Sequence, residues 1–104
     1  LIGAAELAAM KRTAILVNTA RGRLVDEDAL VAALKERRIF AAAVDVLPEE
    51  PPVNGNALLE PGIPNLIVTP HIAWASMEAK QRLADELIDV IEAWERGEPM
   101  NRIV

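Results

Sequence analysis

The sequence has no cysteine, only one histidine, and fewer basic than acidic residues. The absence of cysteine excludes disulfide bonds and thiolate metal sites and suits a reducing compartment, so we expect a cytoplasmic protein. One histidine with dispersed carboxylates does not form a recognisable ligand set, so no metal site is expected. The 11 Lys plus Arg and 16 Asp plus Glu give a net charge of −5. This balance argues against nucleic acids and anionic membranes as partners.

Long hydrophobic runs are also missing. No apolar run approaches the roughly 20 residues that a membrane span requires, and the first residues lack the pattern of a signal peptide. The 104 residues, 52% of them apolar, are enough for one globular domain or for part of one. Because the chain begins with Leu1 rather than with methionine, we expect it to be a piece of a longer protein.

Segments typical of helices and of buried strands alternate along the chain. Three helices are expected, over residues 4–10, from an N-cap at Asp26 and from an N-cap at Ser76. Short apolar runs predict three strands, at residues 14–19, 40–46 and 66–69. The first run is continuous, which predicts a strand buried on both faces, whereas the alanines of the second leave a helix as an alternative. Strands separated by helical crossovers predict an α/β fold with a parallel sheet.

The segment of residues 47–65 differs in kind from the rest of the chain. It holds five of the seven prolines and the turn signal Asn54-Gly55-Asn56. We expect a long loop here, with at most one helical turn near Leu58. Loops of this length inside compact domains are usually functional or disordered. Further on, Gly97 and Pro99 predict the end of the last helix, and a short tail follows.

Residues with chemical potential follow the carboxyl ends of all three predicted strands, where open parallel sheets bind ligands. Arg21 follows the first strand and can grip a carboxylate with its planar fork of donors. Asp45 and Glu50 follow the second, where they can accept hydrogen bonds from an amide or an imidazole. His71 follows the third and can transfer a proton near neutral pH. Together they predict proton transfer on a small substrate that bears a carboxylate.

Each of these residues also has a purely structural interpretation. His71 can be an ordinary loop or capping residue, and Arg21 can form a surface ion pair that contributes little. The two carboxylates can be turn residues of a proline-rich loop. Gly22 can be required only by a turn with positive φ. Trp74 is either an exposed anchor or a core residue, and we expect it in the core.

Three ordered motifs resemble the signatures of the NAD-dependent D-2-hydroxyacid dehydrogenases. They are the string VNTARG at residues 17–22 followed by LVDE at 24–27, the Asp45-Val46 pair with Glu50-Pro51, and Thr69-Pro70-His71. The resemblance covers essentially all of the chain. Residues 51–56 and 71–76 are most similar to the glycerate dehydrogenase (hydroxypyruvate reductase) branch.

The resemblance implies a role for each site residue. Arg21 would bind the carboxylate and carbonyl of the substrate, and His71 would be the acid and base as hydride arrives from nicotinamide. Glu50 would hydrogen-bond this histidine, which makes it the third expected catalytic residue. Asp45 would hold the nicotinamide carboxamide. The expected cofactor-binding residues are Thr19, Ala20, Arg21, Asp45, His71, Ala73 and Trp74.

Part of the family pattern has no counterpart in this sequence. The G-x-G-x-x-G turn that cradles the pyrophosphate does not occur, nor does the acidic residue expected about 20 residues after it. The resemblance therefore implies the second half of a doubly wound, Rossmann-like parallel sheet, an incomplete domain of three strands with helices. Residues 1–95 would form this half, and residues 96–104 a tail towards a substrate domain. NAD or NADP would be contacted only at its nicotinamide end.

The expected function is hydride transfer between NAD(P)H and a small 2-keto or 2-hydroxy acid such as hydroxypyruvate or glycerate, with the isolated chain inactive. Two alternatives stay open, namely a subunit that is complemented by a glycine-rich chain and a non-catalytic interaction module. The family's strand order would leave the first strand without a neighbour on one side. We therefore expect a homo-oligomer, formed through the exposed sheet edge or through exchanged helices.

Overall fold

The computed structural model describes residues 1–98 and 100–101 and divides into two units, Leu1–Ala73 and Trp74–Val104. The first unit alternates helices and strands. Its regular elements are α1 (Ala4–Ala9), β1 (Ile15–Asn18), a 3-10 turn (Gly22–Leu24), α2 (Glu27–Lys35), β2 (Ala41–Val44), a second 3-10 turn (Ala57–Leu59) and β3 (Leu66–Val68). All three predicted strands and the helical turn near Leu58 are confirmed, each within two or three residues of its expected bounds.

The three strands form one parallel sheet in the order β1-β2-β3. Ile15 lies opposite Ala41 and Val17 opposite Ala43, and Ala43 in turn lies opposite Ile67. The alanine-rich run at residues 40–46 is therefore the central strand rather than a helix. The order and direction confirm the predicted α/β architecture, with all three carboxyl ends at one edge.

One face of the sheet is covered by helices. Leu16 of β1 and Val44 of β2 point into a core that also contains Leu7 of α1 with Leu30 and Leu34 of α2. Burying an aliphatic side chain of this kind contributes about 1.5–3 kcal/mol to the free energy of unfolding. The core thus fixes the strands from one side.

The opposite face of the sheet is exposed. Ile15, Val17 and Ile67 retain 60%, 63% and 65% of their accessible surface. The expectation that the first strand is buried on both faces is therefore wrong. Side chains alternate across a strand, and the described residues cover the face that carries Leu16 while Ile15 and Val17 on the other face stay exposed. A continuous apolar run does not indicate which face of the strand is covered by other elements.

Two loop features position the β1 and β2 ends. Asp26 caps α2 as predicted, since its Oδ1 accepts a hydrogen bond of 3.0 Å from the amide of Ala29. Gly22 is not among the residues with positive φ, so its predicted role in such a turn is wrong. A Cβ atom at this position would lie 2.2 Å from the carbonyl carbon of Leu47 and 2.3 Å from the nitrogen of Pro48. Glycine is needed here because two loops pass each other in backbone contact.

The second unit contains the long helix α3 (Met77–Glu95). Ser76 caps it as predicted, with its hydroxyl oxygen accepting a hydrogen bond of 3.1 Å from the amide of Ala79. Gly97 adopts a φ of 73° just beyond the helix, which agrees with the predicted end. Pro99, the other predicted stop signal, and tail residues 102–104 lie outside the described residues.

Large apolar residues recur along one side of α3 but are exposed, whereas the small Ala93 is buried. The larger ones are Leu83, Leu87, Ile91 and Trp94, with 50–75% of their surface accessible. Trp74 is also 59% exposed, so the expectation that it lies in the core is wrong. Its ring instead faces the ammonium group of Lys80, at 5.6 Å from the ring centroid. No helix among the described residues is long and apolar enough to cross a membrane.

Candidate functional site

Asp45 is the first residue beyond β2 and is buried, with 4% of its surface accessible. Its Oδ1 accepts hydrogen bonds from the Thr69 hydroxyl and from the amide of Ile72, at 2.9 Å for the amide. Its Oδ2 accepts one from the amide of Ala73 at 2.8 Å. These donors, led by the Thr69 hydroxyl, hold the pKa of Asp45 below the ordinary carboxyl value although burial acts in the opposite direction. Asp45 is thus an ionised acceptor at the sheet edge.

His71 follows β3 in a left-handed backbone conformation, with a φ of 55°. Its amide donates to the carbonyl oxygens of Asp45 at 2.8 Å and of Thr69 at 3.0 Å. Its ring nitrogen Nδ1 lies 2.6 Å from Oε2 of Glu50. The imidazole is thereby held by its backbone on one side and by a carboxylate on the other.

Glu50 lies in the proline-rich loop after β2, directly before a cis peptide bond to Pro51. Its second oxygen, Oε1, accepts a hydrogen bond of 2.7 Å from the amide of Leu47. The hydrogen bond to the His71 ring is the main cause that lowers the pKa of Glu50, and the Leu47 amide adds to it. A carboxylate that stays ionised can orient the imidazole and stabilise its protonated form.

Arg21 lies in the turn that follows β1, and Asn18 shapes this turn. The buried Asn18 side chain accepts from the amide of Ala20 at 3.1 Å and donates to the carbonyl of Arg21 at 3.0 Å. The Arg21 guanidinium is exposed and donates to the carbonyl of Ala20 at 2.6 Å. The carbonyl of Asn18 also accepts from the amide of Asp45 at 2.9 Å, which ties the ends of β1 and β2 together.

A cavity of about 450 Å³ opens beside the Glu50–His71 pair. Its polar lining comes from Asp45, Glu50, Thr69 and His71, and its apolar lining comes from proline and aliphatic side chains of the loop after β2, of the end of β3 and of the residues that follow it. This volume suits a small organic ligand or part of a larger one. An imidazole held by a carboxylate beside an apolar wall can exchange a proton with a small polar group.

The structure brings together some of the predicted site residues and leaves others apart. Asp45, Glu50 and His71 line one cavity, and the amide of Ala73 contacts Asp45. Arg21 shares the same sheet edge but is not among the described residues that line this cavity. Thr19 and Ala20 are exposed next to Arg21, and Trp74 belongs to the second unit.

Sequence reasoning assigned no function to Asn18, Thr69 or Ile72, each of which contributes a hydrogen bond to the site's framework. A polar residue at the end of an otherwise apolar strand is the signal that could have identified Asn18. Thr69 gave a similar signal within the Thr69-Pro70-His71 motif. The amide of Ile72 could not have been identified, because a main-chain donor leaves no trace in residue type.

A parallel sheet with helices over one face and polar groups at its carboxyl edge defines a Rossmann-like α/β protein. Residues 1–73 match the family model described as "D-isomer specific 2-hydroxyacid dehydrogenase, NAD binding domain". The chain belongs to this family, which confirms the resemblance carried by its three motifs.

Known relatives extend this assignment. The glycerate dehydrogenase of Methylorubrum extorquens is 58% identical over 101 residues, which are 97% of this chain and 32% of that protein. The glyoxylate/hydroxypyruvate reductase B of Enterobacter agglomerans is 44% identical over 86% of this chain and 27% of its own length. The chain therefore spans about a third of the length of the curated relatives it matches.

Solved structures agree with the fold. An NADPH-dependent glyoxylate/hydroxypyruvate reductase from Sinorhizobium meliloti, in complex with citrate, superposes with a TM-score of 0.76 at 36% identity, over 99% of this chain and 32% of its own. An acyclic imino acid reductase in complex with NADPH and D-Arg gives a TM-score of 0.81 at 39% identity, over 97% of this chain and 31% of its own. In both comparisons this chain corresponds to part of a larger enzyme.

Proposed function

We propose that this chain supplies the proton-transfer half of a dehydrogenase acting on a small 2-keto or 2-hydroxy acid such as hydroxypyruvate or glycerate. The observation that carries the proposal is the 2.6 Å contact between His71 Nδ1 and Glu50 Oε2 at the carboxyl edge of the sheet. A carboxylate-supported imidazole beside a small cavity is suited to protonating a carbonyl oxygen. The names of the relatives support the substrate class.

In the proposed reaction His71 exchanges a proton with the substrate oxygen through Nε2, because Nδ1 is engaged by Glu50. During reduction His71 gives this proton to the carbonyl oxygen, and during oxidation it takes the proton from the hydroxyl group. Glu50 stabilises the imidazolium form and fixes the orientation of the ring. A bound NAD(P)H supplies the hydride.

Arg21 is proposed to bind the substrate carboxylate. Its guanidinium is exposed at the same sheet edge, and the Asn18 side chain fixes the turn that carries it. Its present contact is with a neutral carbonyl oxygen, that of Ala20. A substrate carboxylate would replace this contact with a charge-assisted bidentate one, which is the stronger interaction.

The residues at the sheet edge fit the nicotinamide end of the cofactor. An ionised carboxylate offers about four acceptor positions, and three donors already contact Asp45. One position on Oδ2 therefore suits an N–H of the nicotinamide carboxamide. Thr19, Ala20 and Ala73 are proposed to line the rest of this pocket. The sequence contains no G-x-G-x-x-G turn, so these residues are proposed to contact NAD or NADP at this end alone.

The proposal includes three statements about the chain as a whole. Residues 1–95 act as the C-terminal half of the cofactor-binding domain, and residues 96–104 connect it towards a substrate domain. The enzyme works in the cytoplasm. The 104-residue chain alone does not turn over substrate and needs a partner that supplies the glycine-rich half. The presence of Arg21, Glu50 and His71 together favours such an enzyme over a non-catalytic module.

A chimera tests the proposal. The matching segment of the Methylorubrum extorquens glycerate dehydrogenase is replaced by this chain, and NADH oxidation is measured with hydroxypyruvate and with glyoxylate. We expect turnover with at least one of them, and a loss of about 10²–10⁴-fold in kcat after His71→Ala. A folded chimera without turnover contradicts the proposed function. Turnover by the 104-residue chain alone contradicts only the need for a partner half.

A further inference from the structure

Asp45 contacts the chain on both sides of His71. Its carboxylate accepts from the Thr69 hydroxyl, two residues before the histidine, and from the amides of Ile72 and Ala73 directly after it. Its own carbonyl oxygen accepts from the amide of His71 at 2.8 Å. Asp45 thus accepts hydrogen bonds from four of the five consecutive residues 69–73, all except Pro70.

The backbone of His71 needs such support. Its φ of 55° is a left-handed conformation that residues with a Cβ atom rarely adopt. A conformation of this kind persists only where its surroundings determine it. The Glu50 contact holds the imidazole ring, but the ring can reach Glu50 correctly only when the backbone is already in place. The four contacts with Asp45 provide that placement.

We infer that Thr69 and Asp45 act as a pair of positioning residues, in which the Thr69 hydroxyl orients the Asp45 carboxylate so that its oxygens hold the backbone that presents His71. This inference rests on the proposed function, since it assigns a purpose to the placement of the proton donor. Neither residue needs to touch the substrate for this role. Asp45 thereby serves the His71 loop in addition to any contact with a carboxamide.

The hydroxyl of Thr69 is the part of the side chain that matters in this arrangement. As a donor to Oδ1 it selects one rotation of the carboxylate, and in that rotation Oδ1 and Oδ2 face the two amides. The same hydrogen bond is the largest of the causes that lower the pKa of Asp45. A methyl group in its place would leave the carboxylate able to rotate away from one amide.

A pair of variants separates this role from packing. Thr69→Val keeps the shape and removes the hydroxyl, whereas Thr69→Ser removes a methyl group and keeps the hydroxyl. The 104-residue chain is labelled with ¹⁵N and ¹³C and studied by NMR without cofactor or substrate. In Thr69→Val we expect the amides of Ile72 and Ala73 to exchange with solvent about tenfold faster or more. The pKa of the Asp45 carboxyl should rise, and the ring signals of His71 should shift.

In Thr69→Ser the exchange rates, the Asp45 titration and the His71 ring signals should stay close to those of the parent chain. The amide of Leu30, in the buried core, reports in each variant that the fold is intact. An unchanged Asp45 titration and unchanged amides in folded Thr69→Val overturn the inference, and so does an equal disturbance in Thr69→Ser. If Thr69→Val does not fold, Asp45→Asn is measured instead. We expect faster exchange at the amides of Ile72 and Ala73 in this variant, and unchanged exchange overturns the inference.

The outcome is distinguishable from that of the proposed function. The NMR measurements use no substrate, so they do not depend on whether the chimera turns over. If the chimera is inactive and the NMR result is as expected, the positioning of His71 stands and the proposed dehydrogenase function is wrong. If the chimera is active and the amide exchange rates are unchanged in Thr69→Val, the proposed function stands and Thr69 has no positioning role.

Discussion

His71 and Glu50 are 21 positions apart in the sequence, yet Nδ1 of the imidazole lies 2.6 Å from Oε2 of the carboxylate. They reach each other because β2 and β3 are parallel neighbours and the loops after both strands meet at one edge. Both side chains are partly exposed, at 45% and 35%. The pair therefore lies at the surface and is not a buried ion pair.

The first prediction concerns the titration of Glu50. Because the His71 ring is the main cause of its lowered pKa, His71→Ala should raise the pKa of Glu50 towards the ordinary carboxyl value. Carboxyl ¹³C NMR of the 104-residue chain measures this directly. Glu6, whose pKa is lowered mainly by a hydrogen bond from the amide of Gly3, serves as the control and should keep its lowered pKa. An unchanged Glu50 titration would show that the contact is not formed in solution.

The second prediction concerns acid stability. Asp45 and Glu50 have lowered pKa values in the folded chain, whereas in the unfolded chain they titrate near about 4. The unfolded chain therefore binds more protons in this range, so these groups stabilise the fold above about pH 4 and lose that contribution as the pH falls through their folded values.

Urea unfolding measured from neutral pH to about pH 3 should show this loss. Glu50→Gln should reduce the slope of the free energy of unfolding against pH, because it removes one of the two groups. Glu27, whose pKa burial raises, acts in the opposite direction. A stability that rises steadily as the pH falls below about 4 would contradict the assignment of ionised Asp45 and Glu50.

The third prediction concerns the close contact at Gly22. Gly22→Ala places a methyl group 2.2 Å from the carbonyl carbon of Leu47, so the two loops must separate. We expect a loss of about 1–3 kcal/mol in the free energy of unfolding, measured by urea denaturation. Gly3→Ala is the matched control, since its Cβ would meet only Glu6 Oε2 at 3.5 Å. Equal stability of the two variants would mean that the loops do not touch at Gly22.

The fourth prediction concerns the role of Arg21 in the chimera. Arg21→Ala should raise KM for hydroxypyruvate about tenfold or more and change kcat much less, because a carboxylate contact made equally in the ground and transition states is lost. Arg23→Ala removes an exposed arginine two residues away and should leave KM as it was. If both variants keep the parent KM, Arg21 is not the anchor of the substrate carboxylate.

The fifth prediction concerns self-association. We propose that the chain forms a homo-oligomer through the exposed sheet edge at β1, where Val17 is exposed, rather than through exchanged helices. Light scattering at increasing micromolar concentration should show a mass above that of one chain. Val17→Lys should return it to the mass of one chain, whereas Val53→Lys, at an exposed loop position, should not. A single-chain mass at all concentrations would contradict this proposal.

The sequence predicted best those features that depend on neighbouring residues. Asp26 and Ser76 could be identified as helix caps because a cap contacts an amide only three residues away. The strand at residues 40–46 could not be separated from a helix, because its pairing with β1 and β3 decides its conformation. The exposure of Val17 depends equally on distant elements, which no local pattern records.

The same distinction holds for the site. The motif order and the parallel sheet were enough to predict that Asp45, Glu50 and His71 meet at one edge. The sequence could not show that Asp45 is bound by amides 27 and 28 residues further along the chain. Trp74 was expected in the core because it is large and apolar, but its surroundings place it beside Lys80 instead.

The contacts that Asp45 makes with positions 72 and 73 come entirely from main-chain nitrogen atoms. Substitutions at those two positions therefore keep the hydrogen bonds to Asp45, except substitution by proline, which has no N–H. Positions 72 and 73 can therefore be varied to fit a different ligand at this edge of the sheet. The placement of the neighbouring His71 does not depend on which side chains they carry.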